Sequence, residues 1–334
     1  MELGNFGKHT ILTGAGWSQN WGARLAADVW QLLMDNPAIA QRDRLRALLL
    51  EEDSFEAALA KVQNPPFTTD DLERFERALI EAFVSMDRAM TPDDFLSIPF
   101  TNRVQELLFR FAGRRDQGVD TGYLFTLNQD LFFERYLFND HVYNAPAPSL
   151  PGIRITPGVS IFNSLTGPYS EQFIMCPITD TAVQSNLRGQ TNVIKLHGSF
   201  NWRTPDARSL MVVGTEKTRQ IAGVPLLAWY SDVLKAVLFS GDVRLMIVGY
   251  GFGDEYINAT IAEAIESYGL KVFIWGRGSN LKDRILAAPH GSAIWKGLLS
   301  TVTQPMREVF PPSQEISEEY QRIRRVFVND QTIW

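Results

Sequence analysis

The sequence predicts an α/β protein built on a Rossmann-like, mostly parallel sheet with helices on both faces. Short apolar runs that end in glycine or polar turns alternate with segments whose apolar residues recur three and four positions apart. Such alternation is typical of a parallel sheet covered on both sides. A chain of 334 residues has ample core for one large domain of this kind. We therefore predict a single domain over residues 1–334.

The runs predicted as strands are short and widely spaced along the chain. They are His9–Thr13, residues 123–127, residues 193–196, Arg244–Val248 and residues 270–275. After the first strand, apolar residues recur at helical spacing and predict that a helix follows a glycine turn. These residues are Trp21, Leu25, Val29, Trp30 and Leu33.

Two long segments between these strands are expected to have characters of their own. Residues 35–118 show helical patterns almost throughout, broken at Asn64-Pro65-Pro66, and predict a helical insertion over one end of the sheet. Residues 139–191 contain six prolines and no clear periodicity. A long segment of that kind is usually functional or mobile.

The bulk composition limits the classes of function. A net charge of −6 argues against a large nucleic-acid interface, which needs a concentrated basic face. Cys176 is the only cysteine, which rules out an internal disulfide and a cysteine-based zinc site. The first residues lack a signal-peptide pattern, and no run approaches the roughly eighteen apolar residues of a membrane span. We expect a cytoplasmic protein without zinc, direct nucleic-acid binding or membrane contact.

A glycine turn, GAGWS at residues 14–18, follows the first predicted strand. The order strand, glycine turn, helix aims a helix N-terminus at phosphate. The third glycine of the dinucleotide fingerprint is absent, because position 19 is Gln, and no acidic residue ends a second strand about twenty residues later. These departures argue against a hydride-transferring dehydrogenase. A tight strand–helix turn without a ligand explains this motif equally well.

Polar residues follow the next two predicted strands. Asn128 and Asp130 begin a helix after one strand, and His197 and Gly198 follow the other. Helix capping alone would account for Asn128 and Asp130. At the carboxyl ends of parallel strands, however, such side chains face the crevice in which open sheets bind ligands. His197 is the one histidine of four that ends a strand, which favours a functional role over a structural one.

A second glycine turn, GYGFGD at residues 249–254, follows the strand Arg244–Val248. Asp254 is well placed to cap the helix after it. Capping does not explain three glycines in five positions. Those glycines indicate backbone pressed against a ligand or against another turn.

The four motifs together resemble the sirtuin superfamily, in which they occur in the same order. The resemblance implies that Gly14, Ala15, Gly16 and Ser18 line the NAD⁺ phosphates. It also implies that Asn128 and Asp130 contact the nicotinamide ribose and its pocket, that His197 acts as a base at the ribose, and that residues 249–251 close over a ribose. The set expected to bind the cofactor is Gly14, Ala15, Gly16, Ser18, Gly198, Gly249, Tyr250, Gly251 and Asp254.

Two departures from deacylating sirtuins narrow the resemblance. Residues 201–225 contain no cysteine where those enzymes hold a four-cysteine zinc module, and residues 21–30 (WGARLAADVW) replace the usual Gly-Ile-Pro-Asp-Phe-Arg segment. The chain looks more like the zinc-free, sirtuin-like NAD⁺ hydrolases of bacterial antiphage defence, which share the GYxFxD form of the later turn.

That resemblance implies cleavage of NAD⁺ to nicotinamide and ADP-ribose or a cyclised product. It also implies an activity that is held in check until it is triggered, either by assembly into a homo-oligomer or by a partner such as an ATPase or an Argonaute-like protein. Two alternatives stay open. One is an NAD-dependent protein deacylase, and the other is a module that senses NAD or ADP-ribose without turning it over.

Overall fold

The computed structural model describes residues 2–52, 54–90, 99–113, 118–136, 146–154, 176–177, 186–204, 209–214, 217–310 and 316–328. Within these ranges, the strands in chain order, β1 to β11, are His9–Thr13, Gly122–Thr126, Ala147–Ser149, Ile153–Arg154, Cys176–Pro177, Gln190–Lys195, Gly198–Arg203, Ser209–Met211, Arg244–Val248, Lys271–Trp275 and Leu298–Val302.

Seven of these strands form one sheet in the order β11-β10-β9-β1-β2-β6-β3. Each neighbouring pair in this sheet is parallel. The remaining strands form two small antiparallel pairs, β4 with β5 and β7 with β8. The sheet confirms the predicted Rossmann-like α/β class, with helices on both faces.

The helices lie between and after the strands. Their bounds are Ala15–Ser18, Ala26–Met34, Pro37–Ala40, Asp43–Glu51, Phe55–Val62, Thr69–Ala89, Pro99–Ala112, Phe132–Tyr136, Lys217–Ala222, Pro225–Leu238, Glu255–Tyr268, Leu281–Ala287, Gly291–Lys296, Met306–Val309 and Glu318–Ile323, with a 3₁₀ turn at Gln19–Trp21 and a π turn at Arg324–Val328. No helix among the described residues is both long enough and apolar enough to span a membrane.

The helix predicted after the first glycine turn is present but interrupted. A four-residue helix and the 3₁₀ turn Gln19–Trp21 come first, and the longer helix begins only at Ala26. The break lies at Gly22, whose φ of 94° belongs to the left-handed region and cannot continue a right-handed helix. Apolar spacing carries across this break, so periodicity alone does not reveal it.

Helices also occupy most of the described part of residues 35–118, of which residues 53, 91–98 and 114–117 lie outside the description. Between Ile39 and Met86, their buried apolar side chains belong to a hydrophobic cluster separate from the core around the sheet, whereas those of the helix Pro99–Ala112 belong to the sheet core itself. Val29 and Leu33, on the helix Ala26–Met34, also belong to this second cluster. So do three buried residues from later in the chain, Leu131, Phe200 and Val213. They join the helices to the segments that follow β2 and β6.

The predicted irregular segment, residues 139–191, is described at its β3, β4 and β5 strands and near its C-terminal end. Its residues 139–145, 155–175 and 178–185 lie outside the described part of the chain. The parts that are described include β3, which pairs with β6 at the edge of the sheet, and the pair of β4 and β5.

The sheet has a topological switch point at β1. The chain places β2 and β6 on one side of β1 and later places β9, β10 and β11 on the other. In open α/β sheets, a crevice at the carboxyl ends of the strands forms where the strand order reverses, and ligands bind there.

Candidate functional site

A cavity of about 320 Å³ lies at the carboxyl ends of β1, β2, β6 and β9. These strands end in step, because Thr13 pairs with both Thr126 and Val248, and Thr126 pairs with Lys195. The residues that follow each strand therefore meet in one place. Those predicted for the site that line this cavity are Gly14, Ala15, Ser18, Asn128, Asp130, His197, Tyr250, Gly251 and Asp254.

The two glycine turns pack directly on each other. A Cβ on Gly14 would lie 2.8 Å from Gly249 O and Tyr250 Cα, and one on Gly16 would lie 2.8 Å from Gly249 Cα. Gly249 has a φ of 65°, and a Cβ there would overlap the backbone of Gly16 and Trp17. Contact between the turns is thus the reason for glycine at positions 14, 16 and 249.

The amides of the first turn are mostly engaged inside the fold. The N–H of Gly14 donates to Val248 O, and the N–H of Gly16 donates to Gly249 O, both at 2.9 Å. Neither amide is therefore directed at a phosphate, although both residues line cavities beside the turn. Ala15 lines the cavities on both sides of the turn.

Asn128 is held by the first turn rather than acting as a helix cap. Its Nδ2 donates to Gly14 O at 3.0 Å and to Ser18 Oγ at 2.9 Å. Since Gly14 O can only accept, the side-chain amide must face it with nitrogen. Both amide hydrogens are then used, which leaves the Asn128 carbonyl oxygen as an acceptor at the cavity.

Asp130 begins the helix Phe132–Tyr136. Its Oδ1 accepts a hydrogen bond from Phe132 N at 3.0 Å. This capping bond explains in part why an aspartate occupies position 130. Its Oδ2 makes no hydrogen bond within the described part of the chain, and the residue lines the cavity. A carboxylate oxygen is therefore available to a ligand beside Asn128.

A buried ion pair fixes the segment that carries Asn128 and Asp130. Lys195, the last residue of β6, contacts Glu134 at 2.7 Å and also donates to the backbone oxygen of Asp130. Both charged side chains are almost completely buried. Burial raises the pKa of Glu134, and the Lys195 charge only partly opposes that rise. The sequence contains no local sign of this pairing, because the two residues are 61 positions apart.

His197 pairs with Asp254 in the lining of the cavity. The His197 Nε2 lies 3.0 Å from Asp254 Oδ2, and both side chains are buried. Burial alone would raise the pKa of Asp254, but the hydrogen bonds from His197 and Ile257 N, together with nearby positive charge that includes Lys217, lower that pKa. An ionised Asp254 accepts a hydrogen bond from Nε2–H, so Nδ1 becomes the imidazole nitrogen that can accept a proton.

Asp254 also caps the helix Glu255–Tyr268, as the sequence predicts. Its Oδ1 accepts from Ile257 N at 3.2 Å. The Tyr250 hydroxyl accepts from Asp254 N at 3.1 Å and donates to Asn258 Oδ1 at 2.9 Å. Burial, reinforced by the Asp254 charge, raises the pKa of Tyr250, so its hydroxyl stays protonated. These bonds hold the second glycine turn around the carboxylate.

The other glycines of the two motifs have different surroundings. Gly198 has a φ of 71°, and a Cβ there would overlap Leu210 O in the paired strand β8. Its need for glycine therefore comes from the hairpin, and it does not line the cavity. Gly251 and Gly253 do line the cavity, and a Cβ added to either would have no neighbour within 4 Å. Their open side faces the space where a ligand would lie.

The helices before β2 supply the opposite wall of the cavity. Val29, Phe55, Phe83 and Met86 line it with apolar surface. Arg24 and Glu56 add charged groups, and Lys217, from the helix Lys217–Ala222 after β8, also lines the cavity and forms an ion pair with Glu56 at 3.1 Å. The sequence could not identify these lining residues, since their distance in the chain from the strand ends hides the contact.

A second cavity of about 360 Å³ lies on the other side of the first turn. It shares Ala15, Tyr250 and Gly251 with the first cavity and extends over the carboxyl ends of β9 and β10. Trp275 and Met306 contribute apolar surface, and Arg277 and Arg284 contribute positive charge. The sequence motifs predict none of these four residues.

The described residues hold no group of three or more His, Cys, Asp or Glu side chains arranged to bind a metal ion. The chemistry visible in the first cavity is that of a hydrogen-bond acceptor, a carboxylate and a carboxylate-oriented imidazole. Such a set can position hydroxyl groups or water, stabilise positive charge and accept a proton.

Comparison with known proteins gives a family match to part of the chain. A sequence search among curated proteins gives no match. The family described as the SIR2-like domain, whose members are generally NAD-dependent enzymes, matches residues 123–288. That range is just under half of the chain and includes Asn128, Asp130, His197 and the second glycine turn. The match to the SIR2-like domain supports placing this chain in the sirtuin-like superfamily.

Proposed function

We propose that this protein is an NAD⁺ hydrolase that cleaves the bond between nicotinamide and ribose. The observation that carries the proposal is the convergence of Asn128, Asp130 and the His197–Asp254 pair on one cavity beside two glycine turns. The family match adds that NAD⁺ is the expected substrate. The release products are nicotinamide and ADP-ribose, or a cyclised form if a ribose hydroxyl reacts before water.

The shape of the binding region fits a dinucleotide. Two cavities of about 320 Å³ and 360 Å³ meet at Ala15, Tyr250 and Gly251. We assign the nicotinamide ribose to the first cavity and the adenosine to the second. The pyrophosphate then crosses the first turn, where Ala15 faces both spaces.

Each side chain has a role that follows from its contacts. As the bond from ribose C1′ to the nicotinamide nitrogen breaks, its electron pair leaves with nicotinamide and positive charge develops on the sugar. The free Oδ2 of Asp130 stabilises that charge. The carbonyl oxygen of Asn128 accepts a hydrogen bond from a ribose hydroxyl or from the attacking water. His197 Nδ1 takes up the proton as the new bond to C1′ forms.

The direct test is chromatography of NAD⁺ incubated with the purified protein. Asn128→Ala and His197→Ala should each lower the rate of nicotinamide release about a hundredfold or more, since both remove a positioned group. Asn64→Ala is a matched control, because Asn64 is exposed and its side chain donates to the backbone of the helix before it. Parent rates in the two site variants would refute the proposed roles. Nucleotide binding without nicotinamide release would favour a sensing module instead.

We further propose that the enzyme works without zinc and acts in bacterial antiphage defence. Its hydrolase activity would be switched on by contact with another protein molecule. Unrestrained NAD⁺ hydrolysis is toxic to a cell, so a trigger is needed. Assembly into a homo-oligomer, or binding of an ATPase or Argonaute-like partner, would supply it. Light scattering alongside the nicotinamide assay tests this point. A strictly monomeric protein with full activity in isolation would contradict it.

A further inference from the structure

The second cavity differs from the first in the charge of its lining. Its ionisable residues are Arg277, Arg284 and Tyr250, and none of the described residues that line it is a carboxylate. Arg277 follows the carboxyl end of β10, and Arg284 lies on the helix Leu281–Ala287 that comes next. Both arginines are exposed. A ligand in this cavity therefore meets two guanidinium groups without a competing acid in the lining.

These two arginines are held by neutral groups within the described part of the chain. Arg277 Nη1 donates to Gln19 Oε1 at 3.2 Å, and Arg284 Nη2 donates to the backbone oxygen of Arg277 at 2.5 Å. The Arg284 contact sets the two residues side by side. Since no described carboxylate neutralises them, both positive charges remain available to an anion.

The absence of an acidic residue from the described lining has a chemical meaning at an adenosine site. Dinucleotide-binding folds use a carboxylate to hydrogen-bond a free 2′-hydroxyl of the adenosine ribose, whereas an arginine accommodates a 2′-phosphate. Guanidinium groups also match phosphate oxygens with two parallel hydrogen bonds, which makes such contacts stronger than neutral ones.

We propose that Arg277 and Arg284 bind a phosphate on the adenosine ribose, so that the hydrolase proposed above for NAD⁺ also accepts the 2′-phosphorylated dinucleotide NADP⁺ and binds it more tightly. This inference rests on the proposed function for its assignment of the adenosine end. Trp275 and Met306 provide apolar surface for the adenine base in the same cavity. Trp275 is fixed there, because its Nε1 donates to Gln304 O at 2.8 Å.

Calorimetric binding of nucleotide fragments tests the proposal without using turnover. Adenosine 2′,5′-bisphosphate should bind about tenfold more tightly than 5′-AMP, the gain expected from charge-assisted hydrogen bonds. Arg277→Gln and Arg284→Gln should each reduce that preference, and the double variant should bring the two affinities within about threefold of each other. Lys282→Gln is the matched control, because Lys282 lies on the same helix but not in the cavity lining and should keep the preference.

A third ligand, ADP, separates the ribose phosphate from the pyrophosphate. If the arginines serve the pyrophosphate, ADP affinity should fall in the variants as much as bisphosphate affinity does, which would overturn the proposal. Equal affinity of 5′-AMP and the bisphosphate for the parent protein would also overturn it, as would a preference that survives in the double variant. If Arg284→Gln fails to fold, Arg277→Gln still carries the test.

These outcomes are separable from those of the proposed function. The bisphosphate preference is read from fragment binding alone, so its absence in the parent protein would overturn the adenosine-end inference while the nicotinamide-release test of the parent protein still stands. Conversely, a protein that binds the bisphosphate tightly through Arg277 but releases no nicotinamide would retain the adenosine-end inference and lose the hydrolase.

Discussion

At the scale of single residues, Asp254 does more than its position in the sequence indicates. One carboxylate oxygen caps a helix through Ile257 N, and the other orients His197. Capping is a sufficient explanation when only the sequence is known, because Asn and Asp are common caps. The contact with His197 joins residues 57 positions apart and becomes visible only when β6 and β9 lie in one sheet.

Replacing Asp254 with Asn should separate these two roles. The amide oxygen can still cap the helix, but an Nδ2 donor facing Nε2 would favour the His197 tautomer with its proton on Nδ1. We expect nicotinamide release to fall about a hundredfold with little change in KM, because the base loses its acceptor nitrogen. Asp254→Ala should lose the cap as well, at a cost of about 1 kcal/mol in stability. An unchanged kcat in Asp254→Asn would contradict the orienting role.

The lowered pKa of Asp254 predicts a pH dependence of stability. Its carboxyl ionises more readily in the folded protein than in the unfolded chain, where the pKa is about 3.9. The stabilisation should therefore be fully present above that value and lost as pH falls through the lower, folded pKa. Denaturant unfolding of the parent and Asp254→Asn between about pH 7 and 3 measures it. The difference in unfolding free energy should shrink at the acidic end, and a constant difference would count against this account.

At the scale of elements, the contact between the two glycine turns determines where β1 and β9 present their loops. Gly249→Ala should destabilise the fold by more than about 2 kcal/mol, because its Cβ would overlap backbone and its φ of 65° is strained for alanine. Gly251→Ala is the matched control, since its Cβ would enter open space. It should fold normally but bind the dinucleotide more weakly. Equal stability of the two variants would disprove the packing argument.

The buried pair of Lys195 and Glu134 is a second link between elements, from β6 to the helix Phe132–Tyr136. Lys195→Met should cost about 3–5 kcal/mol, because it leaves a buried carboxyl unpaired and frees the backbone oxygen of Asp130. Adding Glu134→Leu should restore part of that loss, since the orphaned group is then removed. Thermal or denaturant unfolding of the single and double variants measures this. A single variant within about 0.5 kcal/mol of the parent would contradict the role.

At the scale of the whole molecule, the sequence predicts the central strands and the turns after them better than it predicts the residues that line the two cavities. Buried five-residue strands such as β2 and β9 leave strong local signals, and so do the turns after them. The edge strand β11 is only partly buried, and its sequence pattern is too weak to predict it. The break at Gly22 escapes prediction because apolar spacing continues through it.

The walls of the two cavities could not be predicted because they depend on contacts between distant segments. Phe83 and Met86 lie on the helix Thr69–Ala89, yet they line the same cavity as the side chains that follow β2. Likewise, Arg277 contacts Gln19, although the two residues are 258 positions apart in the chain. The residue pattern within one helix or strand does not indicate these contacts, because they depend on the order of the strands in the sheet.

The whole-molecule claim is that one dinucleotide occupies both cavities with its nicotinamide ribose beside the reactive groups. The most direct measurement is a crystal structure of His197→Ala soaked with NAD⁺, since this variant should bind the substrate without cleaving it. We predict the nicotinamide ribose within hydrogen-bond distance of the Asn128 carbonyl oxygen, and the adenine near Trp275. A nicotinamide ribose located outside the first cavity would contradict the account.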